Sequence, residues 1–230
     1  MAQTTDILVF EDVTLPATEA YEHVVSGLSF TLGPGEAWLV EVEDDLSCPP
    51  IADAAMGLLQ PEAGTVRFLE REWTERAPDE VAAARSRIGR VFESRAWVSN
   101  LDVDENVTLA RRHHGDASDE AVYAEARALA DRFNGMTLPA SRPAVTGRHD
   151  LVIAQWVRAL LGDPVLLLLE RPTSDVSADD GARLIEAVRE RLAAGGAALW
   201  LTGDNRILQN QSLNELKRAR IAKGKWETCG

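Results

Sequence analysis

Positive charge is scarce in this chain. Its 24 lysines and arginines face 37 aspartates and glutamates, a formal net charge of −13 over 230 residues. Broad nucleic-acid binding needs clustered positive charge, so that class of function is excluded. Cysteine is equally sparse. Cys48 and Cys229 lie far apart and make no metal-ligand pattern. Cys229, beside the C-terminus, is expected to be a frayed thiol. Long apolar runs are missing too: the longest are Val165 to Leu169 and Ala197 to Leu201, against the roughly 20 residues that a spanning helix needs. Direct membrane insertion is therefore not expected. Met1 to Asp6 is mostly polar, and Ile7 to Phe10 is too short for the apolar core of a signal peptide. A cytosolic chain is the expectation. There is no internal repeat and no low-complexity tract.

What is present is ordinary globular material. With 45% hydrophobic and 27% charged residues, the chain is neither disordered nor fibrous. Its length suits one larger domain or two small ones. Ile7 to Val13 and Val25 to Leu32 read as strands, joined by a turn over Thr14 to Glu22. Gly33-Pro34-Gly35 is a turn signal, and Ala37 to Glu43 a strand entering the core. Asp44 to Pro50 reads as an irregular acidic loop. Pro50, tolerated in the first turn, opens a helix to Leu58. Thr65 to Leu69 is a strand, Asp79 to Arg87 a helix and Ile88 to Phe92 a strand. Val103 to His113 and Glu120 to Phe133 carry apolar residues at helical spacing. Asn134 to Arg148 is loop-rich, and Leu151 to Leu161 is a helix. Val165 to Leu169 and Ala197 to Thr202 are continuous apolar strands of the kind buried on both faces of a parallel sheet. Between them Ala178 to Ala194 is a helix ended by Gly195-Gly196. The rest, to Gly230, reads as a short polar tail. Alternating strands and helices give an α/β sheet with helices on its faces.

The segment from Arg158 to Ser174, RALLGDPVLLLLERPTS, closely resembles the Walker B region of ATP-binding cassette (ABC) ATPases, R-A-L-x-x-x-P-x-h-h-h-h-D-E-P-T-S with h apolar. Gly35-Glu36 before a strand resembles the entry to that family's phosphate loop. Gly57-Leu58-Leu59-Gln60-Pro61 with Gly64 resembles the stretch that follows the loop. Ile88 to Phe92, Asn100-Leu101 and Glu105-Asn106-Val107 resemble the surroundings of the Q-loop. The resemblance runs through essentially the whole chain in the family's order. It implies an α/β, ABC ATPase-like (RecA-like) core sheet, with an N-terminal antiparallel β part and an inserted helical subdomain. A single domain over 1–230 follows, its core in 1–93 and 151–230 and its helical, signature-bearing part in 94–150.

Several departures carry the functional reading. The phosphate-loop pattern G-x-x-x-x-G-K-[ST] falls on Val42 to Pro49, so Val42 and Ser47 replace its glycines, Cys48 its lysine and Pro49 its hydroxyl residue. That loop aims backbone N–H groups, a lysine and Mg²⁺ at phosphates. Pro49 and Pro50 have no N–H, and Val42 resists left-handed geometry. Glu43, Asp44 and Asp45 add negative charge, and two like charges about 4 Å apart in a partly screened setting repel by about 4 kcal/mol. Glu170 stands at the Walker B aspartate and Arg171 at the catalytic glutamate. A guanidinium takes no proton from water. Glu93 stands at the Q-loop glutamine and Gly203 at the switch histidine. Thr146, Gly147, Arg148, His149 and Asp150 fall on the signature L-S-G-G-Q, with no residue matching.

Other readings stand beside these. Cys48 reads as a small buried hydrophobe more readily than as a reactive thiol. Arg171 is expected to pair with Glu93 or with the acidic loop, an internal ion pair in place of nucleotide and Mg²⁺. His113-His114 is expected to be solvated at a helix end, with Arg111 and Arg112 placed by the same C-terminus. No metal site is expected. Glu43, Asp44, Asp45 and Cys48 are a weak mixed set for a cation. Phe92, Trp97 and Leu101 are candidates for a groove that receives a transmembrane partner, as well as for plain core residues.

The resemblance with its losses implies a pseudo-ATPase, structural or regulatory in an ABC transporter complex, with no cofactor required. Its expected partners are a transmembrane permease and an active ABC ATPase, in a dimer at the inner face of the membrane. One alternative is a divergent but active ATP-binding subunit using ATP and Mg²⁺. Another is a soluble scaffold with no permease.

Overall fold

The computed structural model describes residues 5–43, 47–94, 96–114 and 117–229. Ten strands form one sheet: β1 (Leu8–Leu15), β2 (Val25–Leu32), β3 (Ala37–Val42), β4 (Ala63–Phe68), β5 (Arg71–Glu72), β6 (Ile88–Val91), β7 (Leu166–Glu170), β8 (Ala197–Thr202), β9 (Lys217–Ala222) and β10 (Lys225–Cys229). Seven helices are described: α1 (Ile51–Ala55), α2 (Pro78–Arg85), α3 (Val103–His114), α4 (Asp119–Asp131), α5 (Arg148–Leu160), α6 (Ala178–Ala193) and α7 (Asn205–Leu208). The sheet order is β5-β4-β1-β2-β10-β9-β3-β8-β7-β6. β9, β3, β8, β7 and β6 pair in parallel, while β5, β4, β1 and β2 form an antiparallel edge. Among the described residues no helix is long and apolar enough to cross a membrane.

The apolar strands show why a parallel sheet forms. Successive residues of β3, β7 and β8 enter different cores. Val40, Leu166, Leu168, Leu199 and Leu201 pack with the antiparallel strands and α1. Leu39, Leu167, Leu169, Ala198 and Trp200 pack with α3 to α6. A strand buried on both faces has no polar alternation, which is the pattern of these segments.

Two regions differ from the sequence reading. The supposed polar tail holds β9 and β10, which tie the antiparallel edge to the parallel sheet. In β9 Ala219 and Ile221 are buried and alternate with the charged Arg218 and Arg220, so a two-residue period hid in a basic stretch. Cys229 is exposed but not frayed, since it pairs with Arg218 in the last ladder. The first helix is also shorter than expected. It ends at Ala55, and Gly57 follows with φ +64°, where an added Cβ would lie 2.3 Å from the Trp73 ring.

One contact fixes the sheet edge to α5. A Cβ on Gly89 of β6 would lie 1.8 Å from the Ala159 carbonyl oxygen. Gly89→Ala should therefore force α5 off the edge strand and cost about 2–3 kcal/mol. Urea denaturation of parent and variant checks this; an unchanged midpoint contradicts the close approach.

Candidate functional site: three carboxylates and two guanidiniums at the strand ends

The C-terminal ends of β3, β6 and β7 meet at one place, the usual position for ligand sites in parallel sheets. Strand β3 runs through Val42, which pairs with Ile221 of β9, so the residue expected to open the phosphate loop is strand. Asp44 and Asp45, two members of the expected acidic loop, lie outside the described residues. After them come half-buried Ser47 and the buried Cys48, Pro49 and Pro50. The Cys48 N–H donates to Glu93 Oε2 at 2.7 Å. The Ile51 N–H donates to the Pro49 carbonyl at 2.7 Å. Helix α1 has five residues, and Pro50 at its N-cap offers no side-chain cap and no N–H. A phosphate cradle needs N–H groups turned outward. Here one is taken by an internal carboxylate, one by a carbonyl, and two are chemically missing.

Glu93 is held in turn by Arg171. Arg171 Nε lies 2.9 Å from Glu93 Oε1, and Arg171 Nη2 donates to the Glu43 carbonyl at 2.5 Å. The Arg171 backbone is left-handed, with φ +44°, and its N–H donates to Leu201 O at 2.8 Å. Such a φ costs an L-residue about 1 kcal/mol, which the anchored side chain offsets. Burial pushes the Cys48 thiol far up, and Glu93 and Glu170 push it further, so Cys48 stays a neutral thiol. Tyr21 is buried close to Glu43 and Cys48; burial raises its phenol, and Glu43 adds to that.

A second guanidinium lies against Glu170, the residue expected at the Walker B position. Arg90 of β6 is bidentate to Glu170, through Nε to Oε2 at 2.8 Å and Nη2 to Oε1 at 3.0 Å. Its Nη1 donates to Asp53 Oδ1 at 2.6 Å. Burial pushes the Glu170 carboxyl upward, against the pull of Arg90. Arg90 and Asp53 were not singled out by the sequence. Their signal was a charge inside a buried strand, Ile88 to Val91, and an acid inside an apolar turn, Ile51 to Ala55.

The residues expected in the signature lie apart from these. Thr146 bonds the Arg142 carbonyl, and Gly147 precedes α5. Arg148, His149 and Asp150 are the first turn of α5, not the loop the sequence suggested. Arg148 reaches Asp175 at 3.2 Å. His149 lies between Asp150, 3.2 Å from Nδ1, and Asp180, 3.1 Å from Nε2. Both carboxylates, Asp150 first, raise the His149 pKa. Gly203 is buried and has no side chain to move a proton. Its neighbour Asp204 caps α7 and accepts from Thr173. His113 and His114 stay exposed at the end of α3, their rings 4.7 Å apart.

Phe92 and Trp97 are brought together by Arg158, whose guanidinium lies 5.3 Å and 4.7 Å from their rings. Arg90 covers Phe92 as well, at 4.4 Å. Leu101 belongs to a turn held by Asn106, whose Nδ2 reaches the carbonyls of Val98, Leu101 and Asp102.

No protein-family model matches the chain. Among curated relatives, a ribose import ATP-binding protein, RbsA 1 of Rhizobium meliloti, is 28% identical over 77% of this chain and 36% of its own length. A pyoverdine export ATP-binding/permease protein, PvdT of Pseudomonas entomophila, is 24% identical over 80% of this chain and 28% of its own. A fluoroquinolones export ATP-binding protein of Mycobacterium tuberculosis is 26% identical over 94% of this chain and 74% of its own. The chain thus spans about a third of the length of the first two. Among solved structures, a dimeric bacterial ABC transporter cassette superposes with TM-score 0.76 at 18% identity, covering 96% of this chain and 98% of that one. The fold is that of the ATP-binding cassette. In sequence the chain is similar to ABC transporter ATP-binding subunits.

Two expectations follow from this geometry. Arg171→Glu sets two carboxylates against each other and should cost about 2 kcal/mol, while Glu93→Gln, which keeps an acceptor for Cys48 N–H, should cost about half as much. Chemical denaturation ranks the two variants; equal or negligible losses contradict the pairing. Because the folded pKa of His149 is raised, its contribution is fully present below the unfolded value of about 6.5 and lost as pH rises through the folded one. His149→Gln should therefore destabilise near about pH 5.5 and much less near about pH 9, as melts at both pH values will test.

Proposed function

We propose that this chain is a non-hydrolysing cassette subunit, structural or regulatory, of an ABC transport complex. The observation that carries the reading is the Glu93 carboxylate on the Cys48 N–H, clamped by Arg171. An anion belonging to the protein stands where the loop would meet phosphate. In sequence, Cys48 stands at the loop-lysine position, Arg171 at the water-positioning carboxylate and Gly203 at the histidine. Phosphoryl transfer rests on positioning and electrostatics, and the groups replaced supply both. The residues present therefore do not fit ATP with Mg²⁺, and none is required as a cofactor.

The partners proposed are a transmembrane permease and an active ABC ATPase, in a dimer at the inner face of the membrane. We take residues 94–150 as the helical insertion, with Phe92, Trp97 and Leu101 at its groove toward the permease. In a head-to-tail heterodimer this chain makes one dead site, and its Thr146 to Asp150 segment serves the partner's site poorly. The substrates in the relatives' names, ribose, pyoverdine and fluoroquinolones, belong to those proteins.

A divergent active subunit is the second reading, favoured by the similarity to ATP-binding proteins and by the carboxylate kept at Glu170. Thermal melts with and without millimolar MgATP separate the two. A ligand at 100 times its Kd adds about 2.7 kcal/mol, a shift of several degrees. We expect no shift, and a clear one overturns the reading. Co-fractionation with membranes distinguishes a permease partner from a free-standing scaffold.

A further inference from the structure

Acids outnumber bases in this chain, yet one cavity has only cations in its charged lining. It lies where the last turns of α2, α3 and α5 meet the start of β6, with a volume of about 90 Å³, room for several waters. Arg85, Arg111, Arg158 and His114 line it, and among the described residues no carboxylate does. The hydrogen bonds of two of the arginines go to neutral acceptors. Arg85 spends Nε and Nη2 on the carbonyls of Met56 and Gly57, at 2.9 Å each. Arg158 donates to the Ala96 carbonyl at 2.7 Å and to Gln155 Oε1 at 3.4 Å. Arg111 Nε is buried and has no hydrogen-bond partner. Arg111 packs on Gly162, whose N–H donates to Glu125 of α4 at 2.9 Å, while Asp163 pairs with Arg191 at 2.7 Å. Each arginine sits in the last turn of its helix, where the helix end supplies about half a negative charge. That places the arginines, but leaves roughly half of their charge unmatched.

We propose that this cavity binds a tetrahedral oxyanion, inorganic phosphate or the phosphate end of a small ester, held by Arg111, Arg158 and Arg85. A guanidinium presents its N–H groups as a fork that matches two oxygens of such an anion, and charge-assisted hydrogen bonds are the strong ones. The anion gives Arg111 Nε the acceptor it lacks and supplies the countercharge that the lining does not. Ile88 and Gly89 open β6 at the cavity, while Glu93 and Glu170 lie past the other ends of β6 and β7, so the two sites are separate. The oxyanion site stands independently of the non-hydrolysing reading, and its probes hold no nucleotide.

The test follows the melting temperature of the full chain in millimolar inorganic phosphate, against sodium chloride at equal ionic strength. The parent should melt a few degrees higher in phosphate. Arg111→Met keeps an aliphatic stem and should lose that rise, with phosphate binding weakened at least about tenfold by calorimetry. Without the anion it should melt no lower than the parent, because it removes a buried donor that has no acceptor. Arg111→Gln should behave likewise. Arg132→Met, at a guanidinium paired with Glu190 outside the cavity, should leave the rise unchanged. A small phosphate monoester is the second probe. Binding tighter than that of inorganic phosphate identifies a phosphorylated metabolite and weaker binding a free ion; either supports the proposal when Arg111→Met abolishes it. The proposal is overturned if phosphate does no more for the parent than chloride, if Arg111→Met keeps the full rise, or if Arg132→Met loses it equally. Failure of both Arg111 variants to fold without the anion overturns it as well.

Discussion

Charge neutralisation at the C-terminal edge of the parallel sheet governs this molecule. Three carboxylates, Asp53, Glu93 and Glu170, are gathered there, and two guanidiniums, Arg90 and Arg171, hold them. Each acid comes from a different element, so the pairs also fix α1, the segment after β6 and the end of β7 relative to one another. Partly dehydrated charges left unmatched at such an edge cost several kcal/mol. The backbone around them follows this demand. Arg171 accepts a left-handed conformation, and the Cys48 N–H turns to a side chain of its own protein.

The sheet brings these groups together because its parallel strands end in register. Arg90 pairs opposite Leu168 in the ladder and must reach two residues along β7 to meet Glu170. Only a long, forked side chain spans that distance with two parallel hydrogen bonds, so lysine is no substitute. Arg158 plays a related part on the other side of Phe92. Burial lowers its pKa to about 10, and its partners are carbonyls and aromatic faces.

The start of α5 shows the same inward turn of polar groups. His149 lies between two acids, and Asp180 also accepts from Ser177 at the cap of α6. Arg148 reaches Asp175 ahead of that cap. The segment expected at the signature position turns its polar groups to its own chain. With the Cys48 N–H on Glu93, these are two places where polar groups of the described residues have internal partners.

The sequence by itself determined the class of fold. Apolar runs such as Val165 to Leu169 and Ala197 to Leu201 read as strands buried on both faces, and the order of motifs placed them in a cassette. It also determined what the site lacks, because a proline without an N–H and an arginine in place of a glutamate are chemical facts at any geometry. The pairing of Arg171 with Glu93 or the acidic loop was legible as a reversal of charge. The role of Arg90 was not, since its partners are 37 and 80 residues away. Nor was the pairing of β9 and β10, whose outward residues looked like a solvated tail. Only tertiary structure decided which carboxylate caps the Cys48 N–H and which guanidinium stands at Glu170. Sequence states which charges exist, but neutralisation acts through space, and the sheet sets the distances.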